Sequence, residues 1–356
     1  MKKLLIALMT TTAAMSLAAT AEAADKLKAC WVYTGPIGDF GYSYQHDQGR
    51  LEVEKALGDK VETAYLENVS EGPDADRAFE RLAREGCKII FGTSFGFMDP
   101  EVKVAKKFPK VMFEHATGYK TSDNLGIYNA RFYEGRYVLG QIAAKESKAG
   151  VAGYIVSFPI PEVVMGINSF MLGAQSINPN FKAKIVWVNS WFDPGKEKEA
   201  AKTLLSQGCD VICSMTDTAT GVQVAGEGGA WSIGYASDMA KFASGKQLTS
   251  FVLDWTSDYV GAAKAVAAGT WKPEVRWDGL AAGVVKMAPY NDGIPADTKA
   301  KLKQLEADIG SGKVHPYGGE LKDQAGNLKV AAGSVLADDD VRGMNWFVKG
   351  MIGKLS

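Results

Sequence analysis

Short apolar segments alternate with segments of helical periodicity along the N-terminal third of the chain. The apolar segments are rich in β-branched and aromatic residues and span residues 30–34, 61–66, 88–91, 111–115 and 125–128. The helical patterns between them span residues 43–57, 74–85 and 101–107. Apolar strands that alternate with helices are typical of parallel sheets, because helices cover both faces of such a sheet. The pattern predicts a doubly wound α/β fold.

The same alternation starts again after a predicted helix at residues 134–145. Further strands are predicted at residues 151–157, 185–189, 211–214, 232–235, 251–253 and 283–286. A weak internal repeat relates AFERLAREGCKII (78–90) to AAKTLLSQGCDVI (200–212). Although any turn from a helix to a parallel strand resembles this pattern, the repeat favours two similar lobes. We predict that Gly86 and Gly208 cap helices and that Cys87 and Cys209 fill apolar space.

The first 23 residues predict a secretory signal peptide. Lys2 and Lys3 precede an apolar stretch at residues 4–19, and small residues then mark a cleavage site after Ala23. Threonines and a serine dilute the apolar stretch, which makes it a poor membrane span. Cys30 lies inside an apolar segment, so we predict a core position and not a lipid attachment site. The expected compartment is the bacterial periplasm.

Composition and charge exclude several classes of function. The 356 residues are 46% hydrophobic and 23% charged, which is typical of a globular protein with two domains. Forty Lys and Arg against 41 Asp and Glu leave a formal net charge of -1, with no positive excess to hold nucleic acid or an acidic membrane. The chain has 3 histidines and 4 cysteines, no two histidines lie close enough in sequence to form a metal-ligand pair, and local metal motifs are absent. No metal and no nucleic-acid partner are expected.

One motif indicates an enzyme. Residues 92–96 (GTSFG) match the G-x-S-x-G turn of serine hydrolases and follow a predicted strand. Residues 97–100 intervene before the next predicted helix, and the required late histidine would be His315. An exported serine hydrolase using Ser94 is therefore kept as an alternative. No glycine pattern for a dinucleotide or a phosphate is present, so no cofactor is expected.

Aromatic and acidic residues follow the predicted strands. In open α/β sheets, ligands bind beyond the carboxyl ends of the strands. Those ends carry the segments 38–44, 94–97 and 189–193, with Phe95 in the second of them, and the acid Asp217. Any single aromatic residue could equally serve core packing. Together, aromatic faces and hydrogen-bond acceptors favour a pocket for a flat, hydrogen-bonding ring.

Three segments resemble the basic membrane protein (BMP) family of ABC-transporter substrate-binding proteins. They are GPIGDFGYSYQHDQG (35–49), ARFYEGRYVLGQIAA (130–144) and WFDPGKEKEAA (191–201), the last running into QGCDVI (207–212). The resemblance covers nearly the whole mature chain, and the segments occur in the order of the family. It implies two Rossmann-like lobes joined by a three-strand hinge, which is the periplasmic binding protein type I arrangement.

The resemblance also implies a ligand and its binding residues. It implies a purine nucleoside or related ring in the cleft between the lobes. The early acid of the family falls on Asp39, and its first stacking aromatic falls on Tyr44, with Phe40 or Tyr42 as alternatives. The second stacking aromatic falls on Trp191 or Phe192, and a later acid falls on Asp238.

One departure from the family pattern bears on the sugar. Nucleoside-binding members carry a lysine that holds the ribose hydroxyls, and this sequence places Trp255 at that position. A bulky indole would fill the space of the sugar, so we expect a free base such as adenine. A nucleoside or another aromatic heterocycle is the alternative.

The resemblance further implies domain bounds and partners. Lobe one is expected to comprise residues 24–130 plus 252–285, and lobe two residues 131–251 plus 286–356. The expected partners are the purine itself and an ABC permease with its ATPase in the inner membrane. The protein is expected to be a monomer without enzymatic activity.

Overall fold

The computed structural model describes residues 26–38 and 40–355. The predicted signal peptide and Asp39 lie outside the described residues. The strands are β1 (Leu27–Val32), β2 (Val61–Leu66), β3 (Ile89–Gly92), β4 (Met112–Ala116), β5 (Leu125–Ala130), β6 (Val151–Val156), β7 (Lys182–Trp187), β8 (Val211–Met215), β9 (Trp231–Gly234), β10 (Gln247–Leu253), β11 (Val275–Asp278), β12 (Val285–Met287), β13 (Leu321–Lys322), β14 (Leu328–Val330) and β15 (Met351–Ile352).

The helices lie between these strands. They are α1 (Tyr42–Leu57), α2 (Pro73–Arg84), α3 (Met98–Lys107), α4 (Phe132–Glu146), α5 (Pro161–Gln175), α6 (Pro194–Ser206), α7 (Thr220–Glu227), α8 (Thr256–Ala267), α9 (Ala296–Gly310) and α10 (Asp338–Arg342). Helix α3 begins at Met98 and not at Glu101 as predicted, because a 3₁₀ turn at Phe95–Phe97 leads directly into it. Of the helices in the described part of the chain, none is long and apolar enough to cross a membrane.

Two mostly parallel sheets confirm the predicted α/β class. The first has the order β2-β1-β3-β4-β5-β11, and every pair in it is parallel. The second has the order β12-β10-β9-β8-β6-β7-β15, in which only the β10–β12 pair is antiparallel. In each sheet the strand order reverses at the first strand, β1 or β6. Ligands of doubly wound folds bind at such switch points.

The chain passes between the two sheets three times. It leaves the first sheet after β5, returns after β10 through α8, which packs on α1, and leaves again between β11 and β12. Strand β11 thus pairs with β5 although almost 150 residues separate them, with Val275 opposite Ile127. The lobe bounds of 24–130 plus 252–285 and 131–251 plus 286–356 stay a prediction.

Helices α4 and α5 approach each other closely through two glycines. A Cβ atom at Gly140 would lie 1.9 Å from the carbonyl oxygen of Phe170, and one at Gly173 would lie 2.1 Å from that of Tyr137. Any side chain at either position would therefore push the helices apart. Because α4 carries Arg136 and α5 begins beside the cleft, this contact positions polar residues of the site.

A disulfide joins Cys30 to Cys87, which corrects the prediction that Cys87 only fills apolar space. Cys30 is fully buried in β1, as predicted, and Cys87 lies just before the neighbouring strand β3. Their Cα atoms are 6.0 Å apart, within the range that a disulfide spans. The equivalent Cys209 is buried and free. Gly86 and Gly208 have φ angles of 90° and 85°, as the predicted helix caps require.

Candidate functional site

A cavity lies between the carboxyl ends of the strands of both sheets. Its lining residues are Thr34, Tyr42, Ser94, Phe95, Glu162, Trp191, Asp217 and Tyr235. The space between the lining atoms is about 320 Å³, but only about 10 Å³ of it accepts the centre of a water-sized sphere. The cavity is therefore narrow, with room for about one water molecule.

Two tyrosine rings in the lining of this cavity lie parallel to each other. Tyr42 is the first residue of α1, and Tyr235 follows β9. Their planes are within 4° of each other and their centroids are 6.2 Å apart. A ring stacked between them needs carbon contacts of about 3.5–4.0 Å on each face, or about 7–8 Å in total. A flat ring can therefore stack between the two tyrosines only when their rings move apart.

Glu71 accepts several hydrogen bonds beside the aromatic residues of the cavity. The indole N–H of Trp191 donates to its Oε1 over 3.2 Å, and the hydroxyl of Ser94 donates to the same oxygen over 2.6 Å. The backbone N–H of Gly96 also donates to Oε1, over 3.2 Å. Because Trp191 follows β7 of the second sheet and Ser94 follows β3 of the first, Glu71 links the two lobes. The indole is also fixed from behind by an edge contact with Phe158.

Asp217 is buried where the lobes meet. Its Oδ1 accepts the backbone N–H of Ser43 over 2.9 Å, and its Oδ2 accepts the hydroxyl of Ser43 over 2.5 Å. A Cβ atom at Gly41 would lie 2.5 Å from Oδ1, and one at Gly35 would lie 2.7 Å from Oδ2, so both positions need glycine. Burial, the largest cause, raises the pKa of Asp217 to about 7. The carboxyl therefore holds the N-terminus of α1 against the second lobe.

Glu162 supplies a second buried carboxyl. It lies in the first turn of α5, directly after Pro161, a residue suited to the start of a helix. Burial raises its pKa to about 7. The guanidinium of Arg136, fully buried, lies 5.2 Å above the ring of Tyr235 and partly offsets this effect on Glu162. The cavity thus combines acidic groups with aromatic faces.

The structure brings together some of the residues that the sequence predicts. Phe95, Trp191 and Asp217 line the cavity. Phe40 and Tyr44 instead stack on each other, with centroids 4.3 Å apart, and Phe40 also contacts Phe242. Of the alternatives for the first stacking aromatic, Tyr42 is the one that lines the cavity.

Two further predicted site residues lie elsewhere. Asp238 is exposed, and its Oδ1 accepts the backbone N–H of Ala240 and the amide of Gln247. Trp255 is fully buried and stacks on His46 with centroids 4.7 Å apart. His46 in turn meets the edge of Tyr42, so the indole lies behind the cavity wall. Asp39 lies outside the described residues.

Ser94 is not paired with a histidine. Its hydroxyl donates to Glu71, whereas His115 pairs with Glu101 and His46 contacts Tyr259. His315, the residue proposed for a hydrolase, accepts the N–H of Tyr317 through Nδ1. Among the described residues, no histidine hydrogen-bonds to Ser94, so the serine–histidine pair of such a hydrolase is not formed.

Backbone strain is concentrated around the cleft. Among the described residues, six that are not glycine have positive φ angles, and five of these lie in loops after strand ends. Those five are Phe40, Asn68, Thr117, Asn189 and Ala236. Strained residues of this kind cluster at functional sites, where the surrounding structure holds them in place.

Sequence reasoning missed Glu71, Glu162 and Arg136. Glu162 could have been found from Pro161, since a proline followed by a helical pattern places the next acid at a helix N-terminus. Tyr235 ends a strand that the sequence predicts and carries the same signal as the other aromatic residues there. Glu71 and Arg136 give no local signal, because only the meeting of distant segments places them near the ligand cavity.

The fold has two α/β sheets, and the chain passes between them three times. A narrow cavity lies between their strand ends, which is the arrangement of a two-lobed binding protein. Solved structures share this fold. An ABC-transporter solute-binding protein of Aeropyrum pernix has a TM-score of 0.71 at 18% identity, covering 81% of this chain and 92% of that one. One of Conexibacter woesei has a TM-score of 0.65 at 21% identity, covering 81% and 98%.

The sequence then identifies the family. The Bmp family model, described as ABC transporter substrate-binding protein PnrA-like, matches residues 26–314. The chain belongs to this family of ABC-transporter substrate-binding proteins, which confirms the resemblance found in the sequence. A protein of Brucella abortus named purine-binding protein is 56% identical over 345 residues, 97% of this chain and 98% of the relative. A Haloferax volcanii protein, 38% identical over 335 residues (93% and 82%), has a name that refers to an ABC transporter and glucose binding.

Proposed function

We propose that this protein captures a purine, with a free base such as adenine preferred, in the cavity between its lobes. The observation that carries the proposal is the parallel pair Tyr42 and Tyr235, with the buried carboxyls of Asp217 and Glu162 beside it. Purine rings stack well on aromatic faces. The name of the Brucella relative supports the same ligand class.

Hydrogen bonding favours purines that carry an exocyclic amine. Adenine offers donors at its amine and at a ring N–H, and carboxylates accept both. A site built to accept such donors discriminates strongly against a ring that lacks them, because its buried acceptors would stay unpaired. Adenine and guanine meet this requirement, and uracil meets it poorly.

The proposed preference for a base over a nucleoside rests on how narrow the cavity is. Trp255 lies behind the wall and does not line the cavity, so its indole does not supply the reason. The cavity accepts a water-sized sphere in only about 10 Å³. A flat base needs less widening of this narrow space than a base that carries a ribose.

Closure of the lobes would trap the ring and signal that the site is filled. The contacts of Asp217 with Ser43 and of Trp191 with Glu71 join the two lobes across the cavity. Binding by closure around a ligand is a common mechanism of two-lobed proteins and needs no catalytic group. We place the protein in the periplasm as a monomer that delivers its purine to an ABC permease and its ATPase for import.

Isothermal titration calorimetry with adenine, guanine, adenosine, uracil and glucose tests the proposal. Protein unfolded and refolded to remove retained ligand is expected to bind adenine most tightly and glucose not at all. Tighter binding of adenosine would favour the nucleoside alternative, and binding of glucose alone would refute purine capture. Incubation with adenosine and analysis of products by chromatography would reveal turnover if Ser94 acts as a nucleophile.

A further inference from the structure

A second, larger cavity adjoins the cavity that Tyr42 and Tyr235 line, which we call the ring cavity. It has a volume of about 420 Å³ and lies between the lobes, next to the start of α5. Its lining residues are Phe95, Thr117, Gly118, Tyr119, Asn129, Pro161, Glu162, Met165, Val275, Asp339, Arg342 and Gly343. Tyr119 and Val275 are 69% and 57% exposed, so this side cavity reaches the surface.

Among the residues that the structure describes, only Phe95 and Glu162 line both cavities. Phe95 comes from the turn after β3 in the first sheet, and Glu162 comes from α5 beside the second. The two side chains therefore approach the shared wall from opposite lobes. The phenyl ring is half-buried, and the Glu162 side chain is buried.

The side cavity combines a largely apolar lining with several polar groups. Thr117, Asn129, Asp339 and Arg342 contribute hydroxyl, amide and charged groups to its lining. Thr117 lies beside Glu162, and its side-chain hydrogen bond opposes the rise in the pKa of that carboxyl. A pentose carries several hydroxyls that could pair with polar groups of this kind.

Resting on the proposed purine binding, we propose that Phe95 and Glu162 form a partition that restricts the site to a bare purine. The partition separates the space for a purine ring, beside Tyr42 and Tyr235, from a side cavity that is large enough for a pentose. A substituent on the purine can enter the side cavity only if the partition is shortened. The specificity between base and nucleoside is thus set at Phe95 and Glu162, and not at Trp255.

Calorimetry with adenine and adenosine tests the partition in a graded series of variants. Phe95→Ala and Glu162→Ala shorten it, and Phe95→Leu shortens it partly. The ratio of the Kd of adenosine to that of adenine is expected to fall at least tenfold in Phe95→Ala and by less in Phe95→Leu. Glu162→Gln preserves the size of the side chain and is expected to change the ratio less than Glu162→Ala. Tyr65→Ala, a control at an exposed aromatic residue of β2 that lines neither cavity, should leave the ratio within about twofold of wild type.

The outcomes separate this proposal from purine binding itself. Absence of adenine binding by the wild-type protein would overturn the proposed function. An unchanged ratio in Phe95→Ala and Glu162→Ala, with adenine binding retained, would overturn the partition and leave purine capture intact. Loss of adenine binding in every variant at both positions, with circular dichroism unchanged, would show that Phe95 and Glu162 bind the purine ring itself. That result would also overturn the partition.

Discussion

Replacing Tyr42 by leucine removes one aromatic wall of the cavity while filling most of its space. Tyr42 is 9% exposed and its ring is parallel to that of Tyr235, so a ligand ring between them would lose one complete stacking face. Stacking on an aromatic side chain contributes about 1–3 kcal/mol per base, which corresponds to about 5- to 150-fold in affinity. We therefore expect the Kd for adenine to rise by about tenfold or more.

The same helix offers a matched control. Tyr44 stacks on Phe40 and does not line the cavity, although it is only two residues further along α1. Tyr44→Leu is expected to change the Kd for adenine by less than about threefold, within the range of distant substitutions. Tyr42→Phe keeps the ring and is expected to bind nearly as well as wild type.

Calorimetry on these variants, with thermal denaturation as a check of folding, decides between the two tyrosines. A folded Tyr42→Leu variant with unchanged affinity would refute the role of Tyr42. If Tyr44→Leu and Trp191→Ala weakened binding while Tyr42→Leu did not, the ligand would lie between Tyr44 and Trp191, as the family resemblance implies.

Three further outcomes are expected. Replacing both Cys30 and Cys87 by alanine should lower the free energy of unfolding by about 4 kcal/mol in urea titrations, since the bridge closes a 57-residue separation. Burial raises the pKa of Glu162 from 4.5 to about 7, so its stabilising contribution is complete below pH 4.5 and is lost as the pH rises through 7. Glu162→Gln should accordingly gain stability relative to wild type between pH 5 and pH 8 in the same titrations. Trp255→Lys should lower stability by about 3 kcal/mol or more in thermal denaturation, because it places a cation in the core, and should not improve adenosine binding.

The alternation of strands and helices could be predicted because it depends on local burial. Strands β1, β3 and β5 are buried along almost their whole length, as parallel strands covered on both faces require, whereas the edge strand β2 is partly exposed. The β11 pairing could not be predicted from pattern, because Val275 is exposed and its segment has no continuous apolar run. The disulfide also depends on tertiary structure, since only the pairing of β1 with β3 brings Cys30 beside Cys87.

The candidate site could be predicted only where its residues follow strands directly. Phe95, Trp191 and Asp217, which the sequence predicts, line the cavity because strand ends of parallel sheets meet at one edge. The alignment placed the stacking aromatic on Tyr44, whereas helix geometry directs Tyr42, at the N-terminus of α1, toward the cavity. Trp255 gave an aromatic signal like the others, but α8 directs its side chain into the core beside His46.

A crystal structure of the protein with adenine tests the central claim most directly. We predict that the purine lies between Tyr42 and Tyr235, with its amine or ring N–H donating to Asp217 or Glu162. We also predict that the centroids of the two tyrosine rings move from 6.2 Å to about 7–8 Å apart. Adenine bound outside this cavity, or no bound adenine at saturating concentration, would contradict the account.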